Sequence, residues 1–263
     1  MRHPPRSPFE SSDPLIRPDS GGAAHAPPAL DTATVVAFDL DGTLVDSAPD
    51  LAYCLGSALE SQGFAAVSEA DTRAWVGDGV NELVRRALAH AVPLDGGLAQ
   101  RSRPGTDAFE RLVETVLDEF SRCYADNLFV RSRLYPGVIE TLDALSARGV
   151  RLCCVTNKRI RFANALLEQA GLLRRFEVVI GGDSVPERKP SPMPLNAAAE
   201  RLGVAPSSAV FVGDSHQDLA AARAAGWRFV WVSYGYRQLS AAELGDAAAI
   251  DSLPELIDKL GAR

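Results

Sequence analysis

Cysteine and histidine are scarce in this chain, with four of each in 263 residues. Cys54, Cys123, Cys153 and Cys154 form no C-x-x-C pair and no framework of spacings, so the sequence offers neither a thiolate metal site nor a disulfide scaffold. Cys153 and Cys154 stand side by side in an apolar run and read as reduced core residues. Four histidines are too few for metal sites built on several imidazoles. No stretch of about 18 apolar residues occurs, so no transmembrane helix is expected. The first residues hold no apolar signal-peptide core, and a cytoplasmic location is the expectation that follows. Positive charge is also short. Lys and Arg total 27 against 34 Asp and Glu, a net charge of −7 with a pI near 5.2. A nucleic-acid binder normally carries a basic face, so no nucleic-acid partner is expected. An anionic small molecule remains possible, because a local cationic pocket can outweigh the global balance.

What is present is 46% hydrophobic residues, enough for a substantial core in one large domain or in a core plus a smaller one. Seven of the 17 prolines fall before residue 31 (Pro4, Pro5, Pro8, Pro14, Pro18, Pro27 and Pro28). That segment, 1–31, has no periodicity and reads as a disordered tail. The apolar run Val35–Phe38 predicts a first strand. Helical spacing then predicts helices over 47–64, with Asp46 or Ser47 as cap, over 68–75, over 80–91 and over 107–127. Residues 93–105, rich in Gly, Pro and Arg, read as a loop. From Pro136 onward strands and helices alternate. Strands are expected at 150–155, 178–180, 209–212 and 228–232, and a weak one near Ile250. The helices between them fall at 137–147, 160–170, 192–202 and 216–225, with a last one at 254–260. Such alternation predicts an α/β fold with a parallel sheet covered on both faces, interrupted by a helical insert at 47–134.

Four polar clusters sit at or near the carboxyl ends of the expected strands, where open α/β sheets place their sites. They are Asp39-x-Asp41, Thr156-Asn157, Lys189-Pro190 and the run Gly213-Asp214-Ser215-His216-Gln217-Asp218. Each has a plain alternative. Asp-x-Asp is often a turn, Thr-Asn a helix cap, Lys-Pro a surface loop and Gly-Asp-Ser a turn. Their coincidence in one order at one end of a sheet is harder to explain that way. Phosphoryl transfer needs a nucleophile, charge neutralisation, donors for the phosphoryl oxygens and a proton shuttle, and these clusters can supply all of them. His216, next to Asp214, reads as a surface or rim residue.

Together the clusters resemble motifs I to IV of the haloacid dehalogenase-like phosphohydrolases over about residues 34–260. The resemblance implies a Rossmann-like parallel-sheet core, 32–46 and 135–263, with an inserted α-helical C1-type cap at 47–134. It implies that Asp39 accepts the phosphoryl group and that Asp41 acts as general acid and base. Thr156 and Asn157 would hold phosphoryl oxygens. Lys189 would offset the charge that Asp39 shares with the phosphate. Asp39, the Asp41 carbonyl and Asp214 would ligate Mg²⁺, which suits an all-oxygen set, with Asp218 orienting Lys189 or a metal-bound water from behind. Three strings look like the bacterial phosphoglycolate phosphatases of that superfamily: Asp39 to Leu51, the insert segment Trp75 to Leu88, and Lys189 to Leu195. The Gly77–Gly79 loop would then face substrate, with Arg85 or Arg86 a candidate for a substrate carboxylate.

The resemblance also ranks the rivals. Dehalogenases of the superfamily lack the second Asp, which is present here as Asp41. Phosphonate hydrolases need a cap lysine for a Schiff base, and the only lysines are Lys158, Lys189 and Lys259. A non-catalytic scaffold would be expected to have lost a motif residue, and none is lost. A phosphatase of another small ester, such as a sugar or amino-sugar phosphate, and a sugar-phosphate mutase keep the same motifs. The expectation is therefore a small phosphomonoester as partner, 2-phosphoglycolate first, acted on by a monomer or homo-oligomer.

Overall fold

The structure, a computed structural model, describes residues 30–93 and 103–261. The proline-rich segment before Leu30 and most of the loop expected at 93–105 lie outside the described residues. Six strands form one parallel sheet: β1 (Val35–Phe38), β4 (Arg151–Val155), β5 (Val178–Ile180), β6 (Ala209–Gly213), β7 (Arg228–Val232) and β8 (Ala248–Ile250). Their order is β5-β4-β1-β6-β7-β8. The chain builds outward from β1 on one side, through β4 and β5. It then returns to add β6, β7 and β8 on the other. The direction of winding reverses at β1, and a reversal of this kind opens a crevice at the carboxyl ends of the strands.

Alternate residues of each strand enter different apolar layers, as a two-sided parallel sheet requires. Val36, Phe38, Leu152, Cys154, Val210 and Val212 pack on one face. Val35, Ala37, Cys153, Val155 and Phe211 pack on the other. Helices α5 (Val138–Ala147) and α6 (Ile160–Gln169) bury Leu142, Leu145, Leu166 and Leu167 against the first. Helices α7 (Met193–Leu202) and α8 (His216–Ala225) bury Leu195, Ala198, Leu219 and Ala222 against the second. Short helices α9 (Ala241–Leu244) and α10 (Glu255–Lys259) close the chain.

Between β1 and α5 the described residues form four helices: α1 (Ala48–Ser61), α2 (Glu69–Trp75), α3 (Val80–His90) and α4 (Asp107–Asp126). They match the helical spacing of the sequence, and Ser68 and Thr106 cap α2 and α4 through their hydroxyls. An antiparallel ribbon, β2 (Val45–Asp46) with β3 (Arg133–Leu134), ties the two ends of this segment together. Two-residue strands leave no period to read, so the ribbon has no signature in the sequence. Leu51, Leu55, Leu83, Phe109, Leu112 and Phe120 join the apolar layer that lies on the Phe38 face of the sheet. No helix among the described residues is long and apolar enough to cross a membrane.

Candidate active site

Phe38 is level with Cys154 on one side and Val212 on the other. The three strand ends are therefore adjacent, and the residues that follow them, Asp39, Thr156 and Asp214, converge. All three are buried. Asp39 continues the ladder by donating its N–H to the Val212 carbonyl at 2.9 Å. Gly42 turns the chain away with φ +85°, and a Cβ there would collide with the Asp214 carboxylate, so only glycine lets the two segments approach this closely.

Lys189 enters from the loop between β5 and α7. Its Nζ stands 2.9 Å from Asp39 Oδ1 and 2.6 Å from Asp218 Oδ1, and it donates to the Val155 carbonyl at 2.9 Å. Asp218 forms a capping box with Ser215 at the start of α8. Its second oxygen accepts from the Ser215 N–H at 3.1 Å and the Ser215 hydroxyl at 2.6 Å. One carboxylate thus both caps a helix and holds the lysine. Asp214 accepts the Tyr236 N–H at 2.6 Å.

Burial pushes the Asp39 carboxyl up to about 7 against the pull of Lys189, and Asp218 and Asp41 add to the rise. Burial, then the charges of Asp218 and Asp39, pushes Asp214 upward as well. Burial works against the Lys189 cation, but Asp218 and Asp39 outweigh it and keep the ammonium charged. Carboxylate oxygens of Asp39, Asp214 and Asp218 lie within 4.8 Å of one another. Asp39 Oδ1 has no well-aligned hydrogen bond, although Lys189 is close. Three buried carboxylates against one ammonium, all oxygen donors, fit a hard divalent cation.

Asp41 points elsewhere. Both of its oxygens are 2.9 Å from Lys158 Nζ, and Oδ1 also accepts the Ser47 hydroxyl. Of the two residues expected to cap α1, Asp46 and Ser47, the one at the N-cap position is Ser47. Its hydroxyl, however, is spent on Asp41 and caps nothing. The Tyr236 hydroxyl accepts the N–H groups of Ser47 at 2.7 Å and Ala48 at 3.0 Å and donates to Asp46 at 3.0 Å. Asn157 Nδ2 donates to the carbonyls of Gly77 at 2.9 Å and Lys189 at 3.0 Å, bridging the insert to the loop that carries the lysine. Sequence reading missed Lys158, although it directly follows Thr156-Asn157 and is one of three lysines. Tyr236 gave no local sign at all.

Above these groups lies a cavity. Asp39, Asp41, Thr156, Asn157 and Lys158 line its floor. The insert supplies Leu51, Val76, Gly77, Gly79, Leu83, Phe120 and Tyr124. The Gly77–Gly79 loop therefore faces the site. A Cβ on Gly79 would come 2.9 Å from the Arg188 guanidinium. Arg85 and Arg86 do not line the cavity. Arg85 is paired with Glu110, and Arg86 with Asp78 at 2.6 Å and Glu82 at 3.1 Å. Carboxylates of the protein already occupy both. His216 is an exposed residue 2.6 Å from Glu243 and does not line the cavity.

The haloacid dehalogenase-like hydrolase family profile matches residues 33–226. This chain belongs to that family. Among curated relatives, the phosphoglycolate phosphatase of Nitrosococcus oceani is 42% identical over 225 residues, 84% of this chain and 94% of the relative. Phosphoglycolate phosphatase 1 of Pseudomonas aeruginosa is 40% identical over 224 residues, 85% of this chain and 78% of the relative. Among solved structures, a predicted phosphoglycolate phosphatase from Haemophilus somnus 129pt is similar with a TM-score of 0.77 and 35% identity, covering 86% of this chain and 97% of that one. The parallel sheet flanked by helices is thus the fold of known hydrolases of this family.

Proposed function

We propose that this chain is a Mg²⁺-dependent phosphatase that hydrolyses 2-phosphoglycolate to glycolate and inorganic phosphate. The observation that carries the reading is the convergence of Asp39, Thr156 and Asp214 from adjacent strand ends, with Lys189 brought against Asp39 from a loop, and a cavity lined by Asp39, Asp41 and Thr156 that the insert roofs. The names of the curated relatives support the choice of ester.

Asp39 attacks phosphorus. A bond forms between its carboxylate oxygen and phosphorus as the ester P–O bond breaks, and Asp41 protonates the leaving glycolate oxygen. Water then attacks the aspartyl-phosphate, Asp41 takes its proton, and phosphate leaves with Asp39 restored. The Thr156 hydroxyl and the main-chain N–H of Asn157 donate to phosphoryl oxygens, while Lys189 balances the charge gathered at Asp39. Asp39 and Asp214, with the Asp41 carbonyl, would hold Mg²⁺, which supplies charge neutralisation between two anions. Asp218 acts from behind, through Lys189. The insert, 47–134, serves as a cap over the core, 32–46 and 135–263, and excludes bulk water when closed.

The test is phosphate release by purified protein, with Mg²⁺ or with a chelator. The panel holds 2-phosphoglycolate, hexose and amino-sugar phosphates, pyrophosphate and p-nitrophenyl phosphate. The expected result is Mg²⁺-dependent release with kcat/KM for 2-phosphoglycolate at least ~100-fold above the rest, about 2.7 kcal/mol of discrimination. Another ester in the lead would keep the chemistry and discard the substrate. No release from any ester would sink the phosphatase reading.

A further inference from the structure

A cavity that takes an ester with a carboxylate two bonds from the bridging oxygen must answer a second negative charge. Lys189 cannot do so, because Asp39 and Asp218 hold it. Arg85 and Arg86 are paired with Glu110, Asp78 and Glu82 and do not reach the cavity. Among the described residues that line it, the cations left are Lys158 and Arg159. We infer that Lys158 is the specificity-determining residue that binds the substrate carboxylate, exchanging its pairing with Asp41 for a pairing with substrate. The inference rests on the proposed reading of 2-phosphoglycolate as substrate and of Asp41 as the group at the leaving oxygen.

Three observations carry it. The Lys158 side chain is only 7% exposed, and an ammonium so far from water needs an anion beside it. Its sole anionic partner is Asp41, at 2.9 Å from both oxygens among the described contacts. A ligand carboxylate presents the same charge and the same two-oxygen geometry. If Asp41 reaches the ester oxygen, the carboxylate two bonds further on falls within reach of the cation already beside Asp41. Finally, the Tyr124 ring of α4 sits 4.9 Å from Lys158 Nζ, a cation–π contact. The insert thereby fixes the lysine on the cavity wall, and the carboxylate subsite is complete only with the insert seated on the core. An ester whose alcohol portion carries no anion has nothing to offer Lys158.

The experiment compares kcat/KM for 2-phosphoglycolate with that for ethyl phosphate, which keeps the phosphoryl group and lacks the carboxylate. The ratio is measured in the unaltered protein, Lys158→Met, Lys158→Arg and Arg159→Gln. Lys158→Gln is run beside the Met variant in case the latter fails to fold. The ratio should fall about 30-fold or more in Lys158→Met or Lys158→Gln, ~2 kcal/mol. It should recover in part in Lys158→Arg and change little in Arg159→Gln. Equal losses on both esters would mean that Lys158 serves Asp41 alone, and the inference would fall. It would fall equally if Arg159→Gln, rather than the Lys158 variants, erased the preference. An unaltered protein with no preference between the two esters would instead overturn the proposed substrate.

Discussion

Lys189 has more negative neighbours than it can neutralise, and this imbalance governs what substitutions at the site should do. Its ammonium is buried between Asp39 and Asp218. Removing one partner of a buried ion pair leaves a charge without compensation, which typically costs about 3–5 kcal/mol. Lys189→Met should therefore lower stability in chelator-treated protein by that order, read by urea unfolding, and abolish turnover. A variant as stable as the parent would show that the carboxylates find compensation elsewhere. The two aspartates of the first cluster should separate by step. Asp39→Asn should abolish turnover of every ester, and wild-type rates in that variant would refute the nucleophile assignment. Asp41→Asn should lower turnover of 2-phosphoglycolate by about 10²–10⁴. With p-nitrophenyl phosphate, whose leaving group needs no proton, the first step is spared and hydrolysis of the intermediate is not. Phosphoenzyme should then accumulate in Asp41→Asn, visible by intact-protein mass, and its absence would remove Asp41 from the second step.

At the scale of elements, the ends of the insert are held by one carboxylate. Asp50, in the first turn of α1, is fully buried. It accepts the N–H groups of Val130 at 3.0 Å, Arg131 at 2.9 Å and Ser132 at 2.9 Å, and the Ser132 hydroxyl. These lie just after α4, so the start and finish of the insert share one anchor beside the β2–β3 ribbon. Asp50→Ala would leave three main-chain donors without their acceptor, and an unsatisfied buried donor costs about 1–3 kcal/mol. Water can reach part of this segment, so a loss of about 3 kcal/mol is expected in thermal or urea unfolding. A loss under about 1 kcal/mol would show that the anchor is dispensable. Such a contact spans 80 residues and has no local period, so the sequence could not reveal it. By contrast, the helices α2, α3 and α4 and the strands of the sheet were legible, because apolar spacing and caps are local properties. Ser47 shows the limit of that reading. A serine before a helix reads as its cap, yet here the three-dimensional neighbour Asp41 takes the hydroxyl.

At the scale of the molecule, the site is made by topology, and topology was legible because strand-end clusters in a parallel sheet must meet where the winding reverses. What the sequence could not show is how the roof is fastened. Three contacts join the loop around Gly77 to the core. Asn157 donates to the Gly77 carbonyl at 2.9 Å, Arg237 donates to the Val76 carbonyl at 3.2 Å, and Gln217 donates to Asp78. Asn157 belongs to the strand-end clusters, but Gln217 and Arg237 touch none of the proposed reacting groups, which makes them probes of closure alone. Burial, and then the nearby Arg86 cation, pulls the Arg237 guanidinium below its ordinary value, so its charge sits there at a cost that the Val76 contact helps offset. If closure completes the cavity, the double variant Gln217→Ala, Arg237→Ala should shift the population toward the open form. KM for 2-phosphoglycolate should rise and kcat fall together, each by roughly 3- to 10-fold, as hinge and lid variants do. Two lost part-buried hydrogen bonds should lower thermal stability only modestly, by about 1–3 kcal/mol. A rise in KM with kcat unchanged would mean that these residues hold the ligand and not the lid. Unaltered kinetics would mean that the insert needs no fastening at this edge, leaving Asn157 and the Lys158–Tyr124 contact to seat it.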